Sequence, residues 1–415
     1  MRTLSLHLFE ILSNSVFYGA NNIEIIVKDS KKENIYYFEV KDDGKGIRQE
    51  DIEKVTDAFF TSRSTRKVGL GLALTKQKAQ QCKGDLEIES FYGKGTKVRF
   101  WFAHNNIDRP PLGEIEEVIV MCATMKENIN LKIQYMEINQ LKDVASQVRR
   151  DIIRMVHACQ SGHPGGSLGA TDIVTALYFD QMQINPENFR MDAAGEDAFF
   201  LSNGHISPML YSILARRGYF PVAELATFRR LGTRLQGHPT TAEGLPGIRV
   251  ASGSLGQGLS VAIGLAEAKK LMKDDHIVYV LMGDGEQEEG QIWEAAMYAP
   301  AKKVDNIIAI VDYNKKQIDG STDDVMNLGD LRAKYESFGW KVWECNGNNM
   351  EEVVDTLTKM RENAHKGQAQ ILLAHTEMGM GVDFMMGTHK WHGVAPNDEQ
   401  AANALSQLKE TLGDY

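Results

Sequence analysis

Apolar positions 4, 8, 11, 12 and 16 in LSLHLFEILSNSVFY (4–18) fall at helical spacing, which leaves Glu10 and Asn14, four residues apart, together on another side. Period-two alternation follows in IEIIV (23–27) and IYYFEV (35–40), and again in DLEIES and GKGTKVRFWF across 85–102, so these segments are expected as strands. VGLGLAL (68–74) opens a second helix. Asp108-Arg-Pro-Pro-Leu-Gly113 then punctuates the pattern, because consecutive prolines stop both helix and sheet. Helical spacing resumes from about Ile138 to Cys159. Beyond it, AFFLSNG (198–204), IVYVLMGDG (277–285), NIIAIVDYN (306–314), WKVWECNG (340–347) and AQILLAHTE (369–377) alternate with helical stretches. That rhythm predicts βαβ units and a doubly wound parallel sheet.

Two α/β units are therefore expected, at 1–112 and 136–415, with 113–135 as a linker or fusion junction. Met125 resembles an initiator residue stranded inside a chain, and both a recent fusion and two artificially joined reading frames are compatible with it. Charge supports the division. Residues 1–124 carry 18 basic and 18 acidic side chains, so the remainder holds the whole net charge of -10. That excess disfavours nucleic acid or an anionic membrane as partner. The 4 cysteines lie far apart, which suggests neither a disulfide framework nor a zinc site, and no apolar run reaches the ~18 residues needed to span a bilayer. A cytoplasmic protein is expected.

In the first unit, Glu10-x-x-x-Asn14, Asp42-x-Gly44-x-Gly46, FFTSR (59–63), Gly69-x-Gly71 at a helix start and Gly93-Lys-Gly95-Thr96 occur in that order. The series resembles the GHKL ATPases, which include histidine kinases, anti-sigma kinases, gyrase and Hsp90, and implies their α/β sandwich. The resemblance is strongest to stand-alone ATP-binding proteins that share FFTSR, VGLGL and a closing IDRPPLG. It implies that Asn14 holds Mg²⁺ beside the triphosphate, that Glu10 acts near the γ-phosphate, and that Asp42 accepts from the adenine amino group. Gly69 and Gly71 would let backbone N–H groups approach phosphate at a helix N-terminus. Gly44, Gly46, Gly95 and Thr96 would line the same ATP site. Only 22 residues separate Gly46 from Gly69, which leaves little room for a long lid. His7, on the apolar side of its helix, is expected as a packed or capping residue, so ATP binding is expected rather than autokinase activity.

In the second unit Asp284 follows one apolar run and Asn314 the next, 30 residues apart, about one strand-helix-strand crossover. Ligands of such sheets bind beyond the carboxyl ends of the strands. A carboxylate, an amide oxygen and a backbone carbonyl are hard ligands that suit Mg²⁺. The spacing resembles the thiamine diphosphate motif. GDGEQEEGQIWEAA with NIIAIVDYNKKQIDG, SGHPGGSLGATDIV (161–174), SNGHISPMLYS (202–212), LQGHP (235–239), GSLGQGLSVAIGLA (253–266) and HKWHG (389–393) resemble the N-terminal half of transketolases. The resemblance implies that Asp284, Asn314 and the Lys316 carbonyl bind Mg²⁺. It likewise implies that Gly285, His205 and His392 contact the diphosphate, that Gly253 and Leu255 line the cofactor, and that Ile318 packs on its thiazolium ring. His163 and His238 would face the sugar and shuttle protons, a task suited to a group that titrates near neutrality. Glu289 would join a carboxylate relay across a subunit interface, whereas Glu286 and Glu288 are expected on a solvated loop surface.

The resemblance implies a two-carbon ketol transfer from a ketose phosphate to an aldose phosphate. In the family a glutamate on a pyrimidine-binding domain activates the cofactor, and the chain ends at Tyr415 without room for that domain. The expectation is the N-terminal subunit of a split, hetero-oligomeric transketolase, active only with a separate C-terminal subunit. Two alternatives stand beside it: an ATP-binding regulatory protein with a non-catalytic transketolase-like module, and a related ketose-transferring enzyme acting on an unusual sugar.

Overall fold

Strands β1 (Asn22–Ser30), β2 (Ile35–Asp42), β3 (Asp85–Phe91) and β4 (Gly95–Ala103) pair antiparallel, and their inward positions Ile23, Ile25, Val27, Phe38, Val40, Phe100 and Phe102 are buried. The computed structural model describes all residues except 1–2, 31–33, 53, 58–70, 114, 127–128 and 136–137, together with the side chains of 28–30, 116 and 130–135. Helices α1 (Leu4–Phe17), α2 (Gly71–Gln81) and α3 (Ile115–Thr124) supply Leu4, Leu8, Ile11, Ala79, Val118 and Cys122 to the same core, giving an α/β sandwich. The start of α1 is capped twice. The Thr3 hydroxyl accepts from Leu6 N–H, and the Pro111 and Leu112 carbonyls accept from Leu4 and Ser5 N–H at 2.9 and 2.8 Å. The double proline therefore closes the helix end, where backbone donors lack intrahelical partners.

Residues 113–135, expected as a linker or junction, instead build α3 and β5 (Asn130–Tyr135). β5 pairs in parallel with β1, from Asn22 opposite Asn130 to Val27 opposite Tyr135, and completes the sheet order β3-β4-β2-β1-β5. The reason is physical. α3 has an apolar face that α1 buries, and β5 provides partners for the backbone groups of an otherwise open β1 edge. The first unit accordingly runs from Met1 to Ile138 and the second from Asn139 to Tyr415.

The second unit carries a fully parallel sheet ordered β11-β12-β8-β7-β6, formed by β6 (Ala198–Leu201), β7 (Val278–Gly283), β8 (Ile307–Tyr313), β11 (Lys341–Asn346) and β12 (Gln370–His375). A two-stranded arm, β9 (Lys316–Gln317) with β10 (Gly320–Ser321), follows β8. β7 and β8 lie side by side with Gly283 opposite Asp312, so the residues leaving their carboxyl ends emerge together. Both strands are apolar along most of their length because the sheet is covered on both faces, with Asp312 near the end of β8 as the exception. Of the helices α4 (Ile138–Cys159), α5 (Pro164–Gly169), α6 (Thr171–Ala176), α7 (Ser207–Arg216), α8 (Gly258–Met272) and α9 (Gly290–Ala301), the last two contribute Leu259, Ala262, Ile292 and Ala296 to the β7–β8 core. Among the described residues no helix is long and apolar enough to cross a membrane.

Candidate functional site

Asp284 leaves the end of β7 and is buried. Its carboxylate accepts from its own neighbour Gly285 N–H at 2.8 Å and, with the other oxygen, from Lys315 N–H just past β8. Asn314 is buried one residue earlier. Its amide nitrogen donates to Asp312 at 3.1 Å, which turns the amide oxygen the other way, where it accepts from Lys316 N–H at 2.9 Å. Asp312 also accepts from the Thr376 hydroxyl. Asp284, Asn314 and Lys316 are thus gathered at the tips of two adjacent strands.

Two buried carboxylates, Asp284 and Asp312, face this point, and no ion pair to either is present among the described residues. Burial, with repulsion from Asp312, pushes the Asp284 carboxyl up to about 7, and burial raises Asp312 to about 6. The Asp284 carboxylate and Asn314 amide oxygen, with a nearby backbone carbonyl, form a donor set that fits Mg²⁺, whose charge would offset the uncompensated acidity. No group of three or more His, Cys, Asp or Glu side chains able to hold a metal occurs among the described residues, so a metal here needs the amide and carbonyl oxygens.

Around the strand tips lie four histidines. His163 precedes α5, His205 sits in the turn after β6, His238 lies in the loop 235–239, and His392 lies in a turn closed by its N–H to the His389 carbonyl at 2.9 Å. Ring centroids are 5.0 Å apart for His163–His205, 5.2 Å for His205–His392, 5.7 Å for His163–His392 and 6.4 Å for His163–His238. Burial first, and neighbouring histidines second, lower His163 to about 4 and His205 to about 3. His238 and His392 are lowered as well, both chiefly by burial. Neutral rings follow. Nδ1 of His163, Nδ1 of His392 and Oδ1 of Asn203 are buried without a hydrogen-bond partner among the described residues, so unused polar capacity surrounds the strand tips, as a bound polar cofactor requires.

Gly253 lies against His238, since an added Cβ would sit 3.4 Å from its ring, and Leu255 is half-buried in the same segment. Ile318, in the turn between β9 and β10, is 61% exposed. Glu289 is exposed at the N-terminus of α9.

Glu286 corrects the expectation of a solvated surface: it is 2% exposed. The turn Gly285–Glu288 folds its side chain back under the loop. There the carboxylate accepts from Gly256 N–H at 2.7 Å, from Gly283 N–H at 3.0 Å and from the Ser202 hydroxyl. Ser202 in turn accepts from Gly258 N–H at 3.1 Å. One carboxylate joins the Ser202–His205 turn, the Gly253–Gln257 loop and the end of β7. Nothing in the sequence separated Glu286 from Glu288, its neighbour two positions on, because burial here is set by tertiary partners. Glu288 is half-buried and accepts from Gln317 at 2.9 Å.

In the first unit, Asp42 ends β2 and accepts from the Ser15 hydroxyl at 2.6 Å, Gly44 N–H at 2.9 Å and Thr96 N–H at 3.2 Å. Gly95 has φ +109 and passes so close to the Asp42 carbonyl that a Cβ would lie 1.9 Å away; Gly46, at φ +71, meets the Phe91 carbonyl likewise at 2.2 Å. Only glycine fits either place. Glu10 and Asn14 lie on α1, and a Cβ on Gly71, the first residue of α2, would be 3.0 Å from the Glu10 carboxylate. Gly69 and FFTSR fall outside the described residues. His7 is buried and bonds through Nδ1 to the Thr75 hydroxyl at 2.9 Å, tying α1 to α2, and burial lowers it to about 4.

Residues 140–413 match the family described as transketolase, thiamine diphosphate binding domain, and residues 2–106 match the histidine kinase-, DNA gyrase B-, and HSP90-like ATPase family. An apulose-4-phosphate transketolase subunit of Phocaeicola vulgatus is 39% identical over 277 residues, covering 67% of this chain and 96% of its own. The 6-deoxy-6-sulfo-D-fructose transketolase subunit SqwG of a Clostridium species is 37% identical over 270 residues, covering 65% and 96%. Among solved structures, the transketolase of Campylobacter jejuni superposes with a TM-score of 0.61 at 32% identity, covering 66% of this chain. This chain spans only 43% of that transketolase. With more than half of its length matched, the chain belongs to the transketolase thiamine diphosphate-binding family, and an ATPase-family region precedes that part.

Proposed function

We propose that the chain is the cofactor-binding subunit of a split transketolase that moves a two-carbon ketol unit from a ketose phosphate to an aldose phosphate. The observation that carries this reading is the meeting of Asp284 and Asn314 at adjacent strand tips, beside a second buried carboxylate and with no cationic side chain paired to either acid among the described residues. Asp284, Asn314 and the Lys316 carbonyl hold Mg²⁺. Gly285, His205 and His392 receive the diphosphate, while Gly253, Leu255 and Ile318 line the ring system. When bound, thiamine diphosphate supplies the carbon nucleophile and electron sink for breaking the bond next to the ketose carbonyl. The protein's own part is orientation and proton handling: neutral His163 and His238 accept hydrogen bonds from sugar hydroxyls and take up protons. Glu289, exposed here, belongs to a carboxylate relay completed by a second chain.

That second chain is a separate pyrimidine-binding subunit, and the assembly is a cytoplasmic hetero-oligomer. Support comes from the relatives, two of which bear subunit names and are matched over 96% of their length. Their printed names carry a sugar phosphate, apulose-4-phosphate, and a sulfo sugar, 6-deoxy-6-sulfo-D-fructose, which favours a ketose with an anionic terminus. Labour is divided between the two units, the first binding ATP and the second carrying the ketol-transfer site. Mg²⁺-dependent thiamine diphosphate titration of the full chain with its co-purified partner tests the reading. Unchanged cofactor affinity in Asp284→Ala overturns it.

A second activity rests on the first unit, where α1 meets Asp42 through Ser15 and Gly71 through Glu10. There the chain binds ATP with Mg²⁺ at Asn14. Nucleotide titration of Asp42→Asn against wild type decides it, with equal affinity counting against the site.

A further inference from the structure

Arg229 is conspicuous because no acid neutralises it among the described residues. Its backbone takes φ +57, a left-handed conformation that non-glycine residues seldom hold, and its N–H closes the loop on the Leu235 carbonyl at 2.9 Å. The guanidinium then reaches between two histidine-bearing loops. One Nη donates to the Ser161 hydroxyl at 2.8 Å, two residues before His163. The other reaches the Gly237 carbonyl at 3.5 Å, one residue before His238, and the fork lies so flat on Gly237 that a Cβ there would be 2.8 Å from Cζ. Nε is buried without a partner among the described residues, and the Phe228 ring lies 5.5 Å from Cζ. The half-buried guanidinium thus meets a hydroxyl, a carbonyl and an aromatic ring, and no carboxylate pairs with it among the described residues.

We infer that Arg229 is a positioning residue for the two sugar-handling histidines: its fork holds the Ser161–His163 and Gly237–His238 loops together. The inference rests on the roles proposed above for His163 and His238. Beside that geometry, the fixed positive charge of Arg229 is expected to add to burial at both rings. It opposes protonation of His163 after burial and His392, and of His238 after burial. The other titratable groups acting on His163 are His392 and His238, and His389 acts on His392; none of these is a carboxylate. Arg229 is the one permanent charge in the set.

Two substitutions separate charge from geometry. Arg229→Gln removes the charge, and Arg229→Lys keeps it while losing the planar fork. The readout is the NMR titration of histidine ring protons in the full chain, which needs neither cofactor nor turnover. In Arg229→Gln the midpoints of His163 and His238 are expected to rise by about half a unit to one unit, while His392, on which Arg229 does not act, stays put as an internal control. In Arg229→Lys both midpoints stay near wild type. With the partner subunit present, kcat/KM for the donor sugar then falls roughly tenfold or more in Arg229→Lys, with thiamine diphosphate affinity within about twofold, because loop placement is lost while the cofactor cradle is intact. Unmoved His163 and His238 midpoints in Arg229→Gln overturn the inference. So does full activity in Arg229→Lys. A wild type that binds cofactor but transfers no ketol unit would count against the proposed reaction, and the NMR result would still decide the charge effect.

Discussion

Asp42 in the first unit and Asp284 in the second both end a sheet strand, and both accept from one backbone N–H of the following turn, Gly44 or Gly285, and from one of a distant segment, Thr96 or Lys315. Their surroundings differ. Asp42 is half-buried and satisfied by one hydroxyl and two amides, all neutral donors, so its site is complete without a cation. Asp284 is buried beside Asp312, which is likewise buried, and among the described residues no cationic side chain pairs with either. Identical residue chemistry thus builds a satisfied hydrogen-bond acceptor in one place and a pair of buried acids without a cationic partner among the described residues in the other. The largest expected effect breaks this contrast: Asp284→Ala should cost cofactor affinity about 100-fold or more in the presence of Mg²⁺, whereas Asp42→Asn should leave it untouched. Isothermal titration of both variants with thiamine diphosphate makes the comparison. Removing Mg²⁺ with chelator should erase the difference between Asp284→Ala and wild type.

Glu286 shows that a buried carboxylate can also be satisfied wholly by neutral donors inside the second unit. Gly256 N–H, Gly283 N–H and the Ser202 hydroxyl converge on it. Glu286→Ala strands one buried and one partly buried amide, at about 1–3 kcal/mol each, so a loss of about 3 kcal/mol in unfolding free energy is expected. Glu286→Gln keeps one acceptor oxygen and should lose less. Urea unfolding followed by far-UV circular dichroism reads both, and equal stability of Glu286→Ala and wild type would rule out the structural role.

His7 extends the comparison to pH. Its folded value of about 4 lies below the usual 6.5, so the unfolded state binds the proton first. The stabilisation is complete above pH ~6.5 and is lost as pH falls towards 4, by about 2–3 kcal/mol. Hydrogen exchange at β1 and β2 amides, followed by mass spectrometry, should therefore speed up as pH falls through that window, after correction for intrinsic rates. His7→Gln, which can keep the Thr75 hydrogen bond, should flatten the dependence.

The readable parts of the molecule share one property: a local period or a fixed crossover length. The spacing of Asp284 and Asn314 sufficed to put β7 beside β8, because a strand-helix-strand unit of about 30 residues returns to the neighbouring position. Likewise, the apolar period of α4 marks Ile138 to Cys159 at both ends. Features set by distant contacts were not readable. β5 alternates as Leu131, Ile133 and Tyr135 and so carries a strand signal, but only pairing with β1, more than 100 residues earlier, makes it part of the first sheet. Asp312 carries no signal of its own in NIIAIVDYN, and only its bond to Asn314 in the fold shows that it fixes which way the amide points. Arg229 and Glu286 belong to the same class, since their partners lie 68 and 30 residues away.

The smallest effect is expected two residues beyond Glu286. Glu288 accepts a single hydrogen bond from Gln317, a residue of the β9–β10 arm, and remains partly open to water. Water can replace that bond, so Glu288→Ala should change cofactor affinity by no more than about twofold and stability by under about 1 kcal/mol. Run beside Asp284→Ala and Glu286→Ala in one titration series, it asks whether the loop's acidity matters as a field or only at the two buried positions. A tenfold loss in Glu288→Ala would mean that the field matters. The contrast between satisfied and unsatisfied carboxylates would then give way to one based on total charge, and binding should weaken in step with each carboxylate removed, irrespective of burial.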